Sequence, residues 1–279
     1  MKKILFALVV VLAYITATAG EVSALQITNG DQKKTYSLNE LLERKDLEKI
    51  TIKNDPSYPN KTREYQAVKV SSLFSGLNIE DSAVIQFETT DGFSAPIAKE
   101  RLLNQSPDKS IAYIAIESPN APWPRLAPNK PSTGPLYLIW KNPSLSDIRS
   151  EEWPFMLSGF TVIGTLESNY PAIYPARNIS KTDPIYSGFR MFTKQCFACH
   201  TMNQQGQSQI GPDLNIPMNP TEYFQEDALK VFIRNPSNVR TWPGQRMHGF
   251  SESEISNKDL DNLIAYLKHM AATRSNATP

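Results

Sequence analysis

The stretch of the chain with the clearest chemistry is Cys196-Phe197-Ala198-Cys199-His200, a C-x-x-C-H pattern. Two residues between the cysteines let both sulfur atoms reach the two vinyl groups on one edge of a porphyrin. The adjacent histidine can then bring its imidazole under the ring to the iron. This is the spacing of covalent c-type haem attachment. The pattern predicts one covalent haem c, with Cys196 and Cys199 as thioether anchors and His200 as the proximal iron ligand.

Two other uses of a C-x-x-C pair fit this sequence less well. A tetrahedral zinc site needs about four ligands, whereas the chain has 2 cysteines and 3 histidines. A thioredoxin-like pair of reactive thiols would need a βαβ context, and the segments that flank this motif have the pattern of helices. Both cysteines are therefore assigned to haem, and a disulfide framework is excluded.

The sixth iron ligand must come from another part of the chain. Haem carriers of this kind commonly use a methionine, which raises the reduction potential. Met247 is one candidate and lies in the loop formed by residues 242–250, just before the last helical pattern. Met202 is too close to His200 to reach the opposite face of a haem. The other candidates are Met218, Met270 and His248.

Local signals predict the elements that position the motif. Asp183 and Pro184 are typical of a helix start, and they predict a short amphipathic helix over residues 184–195. A second helix is predicted over residues 257–270, where apolar residues recur with i, i+3, i+4, i+7 spacing. Between these helices, the Gly211–Leu214 turn can place a proline and a leucine on the histidine side of the haem.

With these features, residues 180–274 resemble a class I cytochrome c domain. The features that carry the resemblance, beside the C-x-x-C-H motif, are Gly188, Phe192, Tyr266 and the Gly-Pro-Asp-Leu segment at 211–214, which is similar to the G-P-x-L segment of the family. The resemblance implies an all-α fold, one haem and single-electron transfer. In the family the ligand methionine is usually followed by proline, whereas here it is followed by His248, which leaves the loop less rigid.

Residues 25–176 have a different pattern, which predicts an α+β domain with a mostly β core. The chain as a whole is therefore predicted to have two domains, as its 279 residues also suggest. A hairpin is predicted at the turn Thr90–Phe93. The helical patterns are at 38–43 and 70–74, and the strand-like runs are at 49–52, 83–87, 111–116 and 136–140.

This N-terminal half resembles the sulfite-oxidase-type molybdopterin-binding domain. The resemblance rests on four short segments in the same order, at residues 36–38, 70–73, 90–97 and 134–138. In that family a cysteine thiolate of the protein ligates the molybdenum. Residues 1–195 contain no cysteine, and the first histidine of the chain is His200. We therefore expect no molybdenum cofactor, and we interpret this half as a cofactor-free relative used for docking.

The N-terminus predicts export from the cytoplasm. Lys2 and Lys3 precede an apolar run at 4–15, and an A-x-A cleavage site at 17–19 predicts a signal peptide of residues 1–19, with a second cleavage site at Ala24. An uncleaved N-terminal anchor is the alternative. The run is too short to span a bilayer, and no later run is long enough, so no transmembrane span is expected in the mature form. The export route and the haem motif together indicate a bacterial periplasm.

Charge and composition narrow the function. Lys and Arg number 29 and Asp and Glu 28, giving a net charge of +1, which excludes the strongly basic surface of a nucleic-acid-binding protein. The sequence favours a periplasmic mono-haem cytochrome that transfers electrons between redox partners such as a dehydrogenase, another cytochrome or a terminal oxidase, and that is not itself an enzyme. The alternatives are an oxidoreductase subunit that binds a small substrate at residues 25–176 and a haem-based sensor with a labile Met247. An assay for molybdenum and pterin tests the former, and carbon monoxide binding tests the latter.

Overall fold

A computed structural model describes residues 24–274. The predicted signal peptide, residues 1–19, lies outside the described residues. Within the described range no helix is both long and apolar enough to cross a membrane. The strands are β1 (Leu25–Asn29), β2 (Gln32–Tyr36), β3 (Glu48–Lys53), β4 (Thr62–Lys69), β5 (Val84–Thr89), β6 (Ser94–Ala98), β7 (Ile111–Ile116), β8 (Leu136–Lys141) and β9 (Leu157–Ile163).

These strands form two sheets, so the predicted mostly β N-terminal region is confirmed. One sheet has the order β2-β1-β9-β5-β6 and the other has the order β3-β4-β7-β8. The pair β1 and β9 is parallel, and the other pairs are antiparallel. The predicted hairpin turn joins β5 to β6. The four predicted strand runs lie in β3, β5, β7 and β8, whereas β1, β2, β4 and β9 were not predicted.

The apolar runs of β7 and β8 explain where the N-terminal core forms. In both strands, all but one terminal residue are buried, because both faces of these strands are covered. Their side chains belong to one hydrophobic cluster that also includes Phe87 and Phe160 from the other sheet. Burial of this apolar surface is the main source of stability for the N-terminal region.

Short helices complete the fold. Those of the N-terminal region are α1 (Leu38–Leu42), α2 (Val70–Leu73), α3 (Lys99–Leu102) and α4 (Leu166–Asn169), and those of the C-terminal region are α5 (Pro184–Met191), α6 (Pro220–Tyr223), α7 (Glu226–Arg234) and α8 (Asn257–Ala272). The Asp183 side chain accepts a hydrogen bond from Ile185 N at 2.8 Å and caps α5 as expected. The predicted 184–195 helix is α-helical only as far as Met191, and a π-helical turn follows over Phe192–Cys196.

The pair α5 and α8 forms the centre of the C-terminal region. The helices approach most closely at Gly188, where an added Cβ would lie 1.9 Å from the carbonyl oxygen of Asn262. A side chain at this position would therefore force the helices apart. Tyr266 of α8 is fully buried, and its ring centroid lies 5.3 Å from that of Phe192.

The residues that follow β9 pack against the helical region. Tyr170 and Ile173 belong to the C-terminal hydrophobic cluster, and the carbonyl oxygen of Ile173 accepts a hydrogen bond from Tyr266 Oη at 2.6 Å. The amide of Ala176 donates to Nε2 of His269 at 3.0 Å. The end of the predicted 25–176 unit thus contacts the C-terminal hydrophobic cluster. This contact fixes the point where the chain enters α5.

Candidate functional site

The C-x-x-C-H motif lies where the first C-terminal helix ends. The π-helical turn Phe192–Cys196 places Cys196 at its last position, and π-helical turns are frequent at functional sites. The carbonyl oxygen of Cys196 accepts hydrogen bonds from Cys199 N at 3.0 Å and from His200 N at 2.8 Å. The chain therefore turns tightly through the motif, which keeps both thiols and the imidazole together. Both cysteines are free and partly buried.

The ring of His200 is oriented by the segment that follows the motif. Its Nδ1 lies 2.7 Å from the carbonyl oxygen of Pro212, which can only accept a hydrogen bond, so Nδ1 carries the proton. Burial lowers the pKa of His200, although this hydrogen bond opposes the shift. The neutral imidazole thus keeps the lone pair of Nε2 for a metal ion, as in histidine ligands whose other nitrogen bonds a backbone carbonyl.

Gly211 is required for this contact. A Cβ at this position would lie 2.5 Å from Cε1 of His200 and 2.7 Å from its Nδ1. The amide of Gly211 also donates to the carbonyl oxygen of Cys199 at 2.7 Å. The Gly-Pro segment therefore lies flat against the imidazole, on the side expected from the sequence.

The carboxylate of Asp213 organises the loop after the motif, and it was not predicted as a functional residue. It accepts hydrogen bonds from Thr201 Oγ1 at 2.9 Å, from Gln204 N at 2.7 Å and from Asn215 N at 2.8 Å. Aspartate commonly bonds the backbone of a turn in this way, which is the signal that could have found it. Asp213 thereby holds residues 201–204 against the histidine-binding turn.

Two fully buried asparagines connect this loop to α8. Asn215 donates to the carbonyl oxygen of Met270 at 2.9 Å, and Asn219 donates to that of Leu267 at 3.0 Å. The two side chains are also linked to each other at 2.9 Å. Buried amides need such partners, because an unsatisfied polar group in the interior is costly. These residues were missed because nothing local in the sequence shows that they are buried.

The thiols of the motif are not arranged for disulfide redox chemistry. Burial raises the pKa of Cys196 to about 12 and that of Cys199 to about 11, and the nearby carboxylate of Glu151 adds to both shifts. Reactive C-x-x-C pairs have the opposite property, since their environment lowers the thiol pKa. The electrostatics therefore disfavour a thioredoxin-like pair.

The candidate sixth ligands differ in their surroundings. Met247 is partly buried and packs on the same hydrophobic cluster as Cys196 and Leu214. Met218 is 51% exposed, whereas Met202 and Met270 are buried in the core. The side chain of His248 is 56% exposed and its Nε2 lies 3.5 Å from Oε1 of Glu151. Met202 and Met270 belong to the same cluster but are fully enclosed in it, so Met247 is the candidate methionine that lies partly buried at its edge.

The donor set fits a haem iron. His200 offers a neutral nitrogen, Met247 offers a soft thioether, and the surrounding wall is apolar. Within residues 24–274, no group of three or more His, Cys, Asp or Glu side chains could hold a metal ion by itself. Further ligands for an iron held by His200 would therefore have to come largely from a bound group such as a porphyrin.

Comparison with known families agrees with this geometry. Residues 185–271 match the family model described as cytochrome c, a range that runs from α5 into the last turn of α8 and includes the C-x-x-C-H motif and Met247. The match supports a cytochrome c domain in the helical C-terminal region, and such a domain implies covalently bound haem c and a haem-based role in electron transfer.

Proposed function

We propose that the protein is a periplasmic mono-haem electron carrier. Cys196 and Cys199 form the two thioether bonds, His200 is the proximal ligand and Met247 is the distal ligand. The observation that supports the proposal is that the residues beside Met247 lie near the motif. The charges of Arg246 and of Glu151, the partner of His248, act on Cys199, and Met247 packs on the cluster that Cys196 also contacts. The resulting arrangement is a closed six-coordinate centre and not an open catalytic one.

In such a carrier the haem supplies the redox couple, and residues of the chain hold and tune the iron. When bound, the haem iron supplies a one-electron ferric–ferrous couple. The Gly211–Pro212 segment keeps the imidazole of His200 in one tautomer and one orientation, so the proximal ligand does not reorganise. Met247 would offer the iron a soft sulfur atom, which would exclude water and raise the reduction potential.

The N-terminal region is proposed to serve docking and not redox chemistry. Residues 25–176 contain neither cysteine nor histidine, which are the side chains that most often hold redox metals. The sheets instead offer a stable surface of mixed charge for a redox partner such as a dehydrogenase, a cytochrome or a terminal oxidase. The proposed periplasmic location rests on the N-terminal sequence.

The test is a potentiometric titration of the full chain, matured in a periplasm with haem-attachment machinery. We expect one reversible one-electron transition with an unchanged low-spin spectrum and no carbon monoxide binding by the ferrous form. Two or more transitions would contradict a single haem. Molybdenum or pterin in the purified protein, with substrate-dependent haem reduction, would favour the oxidoreductase alternative.

A haem-based sensor is the second candidate, favoured by one observation. None of the backbone–backbone hydrogen bonds in the described part of the chain involves residues 246–249, so the loop that bears Met247 lacks regular support. A distal ligand on such a loop could leave the iron and admit a gas molecule. Ready carbon monoxide binding by the unmodified ferrous protein would favour this candidate over the carrier.

A further inference from the structure

The residues on either side of Met247 are each paired with an acidic side chain of the N-terminal region. Nη2 of Arg246 lies 3.1 Å from Oδ2 of Asp91, and Nε2 of His248 lies 3.5 Å from Oε1 of Glu151. The two pairs bracket the proposed distal ligand. They connect the ligand loop to a part of the chain that has no cysteine or histidine of its own.

These side-chain contacts replace missing backbone support. The nearest backbone hydrogen bonds are from Gln245 N to Trp242 O at 3.3 Å and from Phe250 N to Ile233 O at 3.1 Å. In the residues described, the backbone of 246–249 makes none. The position of Met247 therefore depends on its own contact with the apolar cluster, on the two pairs beside it and on the close packing of Gly249 against the backbone of Arg234.

The acidic partners are themselves held in place. Asp91 lies in the turn between β5 and β6, where its Oδ1 accepts a hydrogen bond from Thr89 Oγ1 at 2.7 Å. The same turn contacts the haem-binding segment, because Gly92 O accepts from Gln209 N at 3.1 Å. An anchored carboxylate loses little conformational entropy on pairing, so it can hold a loop more firmly than a mobile surface charge does.

Glu151 is anchored in a similar way. Its side chain is only 8% exposed, and it lies in the 3-10 helix Ser150–Glu152. Arg149, the residue before this helix, donates a hydrogen bond to the carbonyl oxygen of Lys194, which lies two residues before Cys196. The N-terminal region thus contacts both the segment that carries the thioether cysteines and the loop that carries Met247.

We infer that Asp91 and Glu151 are positioning residues, which hold Met247 against the iron from the N-terminal region. The inference rests on the proposed role of Met247 as the distal ligand. It gives the N-terminal region a second task beside docking, since distal ligation would depend on the contact between the two regions. A partner that bound near Asp91 or Glu151 would then change how firmly Met247 ligates the haem iron.

The test compares the holoprotein with the double variant Asp91→Asn/Glu151→Gln. We expect the far-red methionine-to-ferric-iron band to weaken and the fraction of ferrous protein that binds carbon monoxide to rise about 5-fold or more, in the usual range of coupling between sites. Hydrogen exchange should also accelerate at the two hydrogen-bonded amides that flank the loop, those of Gln245 and Phe250. The charge-reversed pair Asp91→Arg/Arg246→Asp should restore much of the band that Asp91→Arg alone removes.

The matched control is Asp81→Asn, which removes another N-terminal carboxylate that pairs with Lys99 at 2.9 Å. It should leave the far-red band, carbon monoxide binding and loop exchange unchanged. The inference is overturned if the double variant behaves like this control, or if loop exchange rises while the band stays intact. A wild-type protein without the band would overturn the assignment of Met247 as well, and this is distinguishable because it precedes any substitution.

Discussion

The two hydrophobic clusters of the molecule are held together by different means. The N-terminal cluster lies between sheets whose strands satisfy one another through ladders of backbone hydrogen bonds. The C-terminal cluster lies among short helices joined by long irregular segments, and side chains such as Asp213, Asn215 and Arg234 bond the backbone there. The strands around the first core are joined by backbone hydrogen bonds, whereas the irregular segments around the second core are held by hydrogen bonds from particular side chains.

This difference shows where the chemistry can be placed. A sheet core with fully paired strands needs no bound group to complete it. In the C-terminal region, Leu214, Phe224 and Met247 lie only partly buried at the edge of the cluster that Cys196 also contacts. A haem placed against these side chains would extend the core, so we expect the cofactor to stabilise this region and to leave the other unaffected.

The largest effect is expected from the double variant Cys196→Ser/Cys199→Ser. Without thioethers the haem is held only by axial ligands and is lost on denaturation, and the C-terminal region loses most of its stability. Haem staining after denaturing electrophoresis and circular dichroism measure the two effects. The sheet signal should persist, and a covalently stained band from the double variant would contradict the assignment of both cysteines.

The next largest effect is expected from Gly188→Ala. The new Cβ would lie 1.9 Å from the carbonyl oxygen of Asn262, so α5 and α8 must separate, at a cost of about 3 kcal/mol in the free energy of unfolding. Denaturant unfolding followed by haem absorbance measures it. The control is Gly164→Ala, whose Cβ would meet the movable hydroxyl of Ser168 at 3.1 Å. Equal effects of the two substitutions would contradict the packing described for the helical region.

A substitution in the other core should sharpen the contrast between the two regions. Asp55 is fully buried and accepts hydrogen bonds from Tyr65 Oη at 2.6 Å and from Tyr137 Oη at 2.9 Å. Asp55→Ala removes the acceptor of both hydroxyls, of which that of Tyr137 keeps its hydrogen bond from Ser57 Oγ, and should cost about 2 kcal/mol of stability. Tryptophan fluorescence should report this loss while the haem spectrum stays unchanged. A shifted haem spectrum would contradict the expectation that a change in the N-terminal core leaves the haem site unaffected.

The smallest effect concerns pH. His269 accepts a hydrogen bond from Ala176 N through Nε2, and burial lowers its pKa from the usual value of 6.5. Because the folded form binds the proton less well than the unfolded form, the stability that this contact gives is lost as pH falls below about 6.5. His269→Gln keeps a neutral acceptor, so its thermal midpoint should fall less than that of wild type between pH 7.5 and 5.5. Parallel curves would contradict this role for His269.

Local signals in the sequence predicted the elements that they directly encode. The Asp183-Pro184 cap, the apolar spacing of α8 and the buried runs of β7 and β8 are properties of neighbouring residues, and the structure contains all of them. The strand β2 was missed because it is a polar edge strand with mostly exposed or half-buried residues. The parallel pairing of β1 with β9 joins distant segments and has no local signature.

The candidate site follows the same rule. The C-x-x-C-H motif and the Gly211–Leu214 turn are local patterns, and both lie where they were expected. The pairs made by Asp91 and Glu151 join positions far apart in the chain, so only the tertiary structure reveals them. The contact between His269 Nε2 and Ala176 N is likewise a long-range one that no local pattern indicates. The resemblance of residues 25–176 to a molybdopterin-binding domain stays a prediction.

The central claim is that His200 and Met247 together ligate one covalent haem. The most direct measurement is the far-red absorbance of the ferric holoprotein for wild type, Met247→Ala and the control Met218→Ala. We predict that wild type and the control share the weak methionine-to-iron band and that Met247→Ala lacks it. A band that survives in Met247→Ala, or that is absent from wild type, would contradict the account.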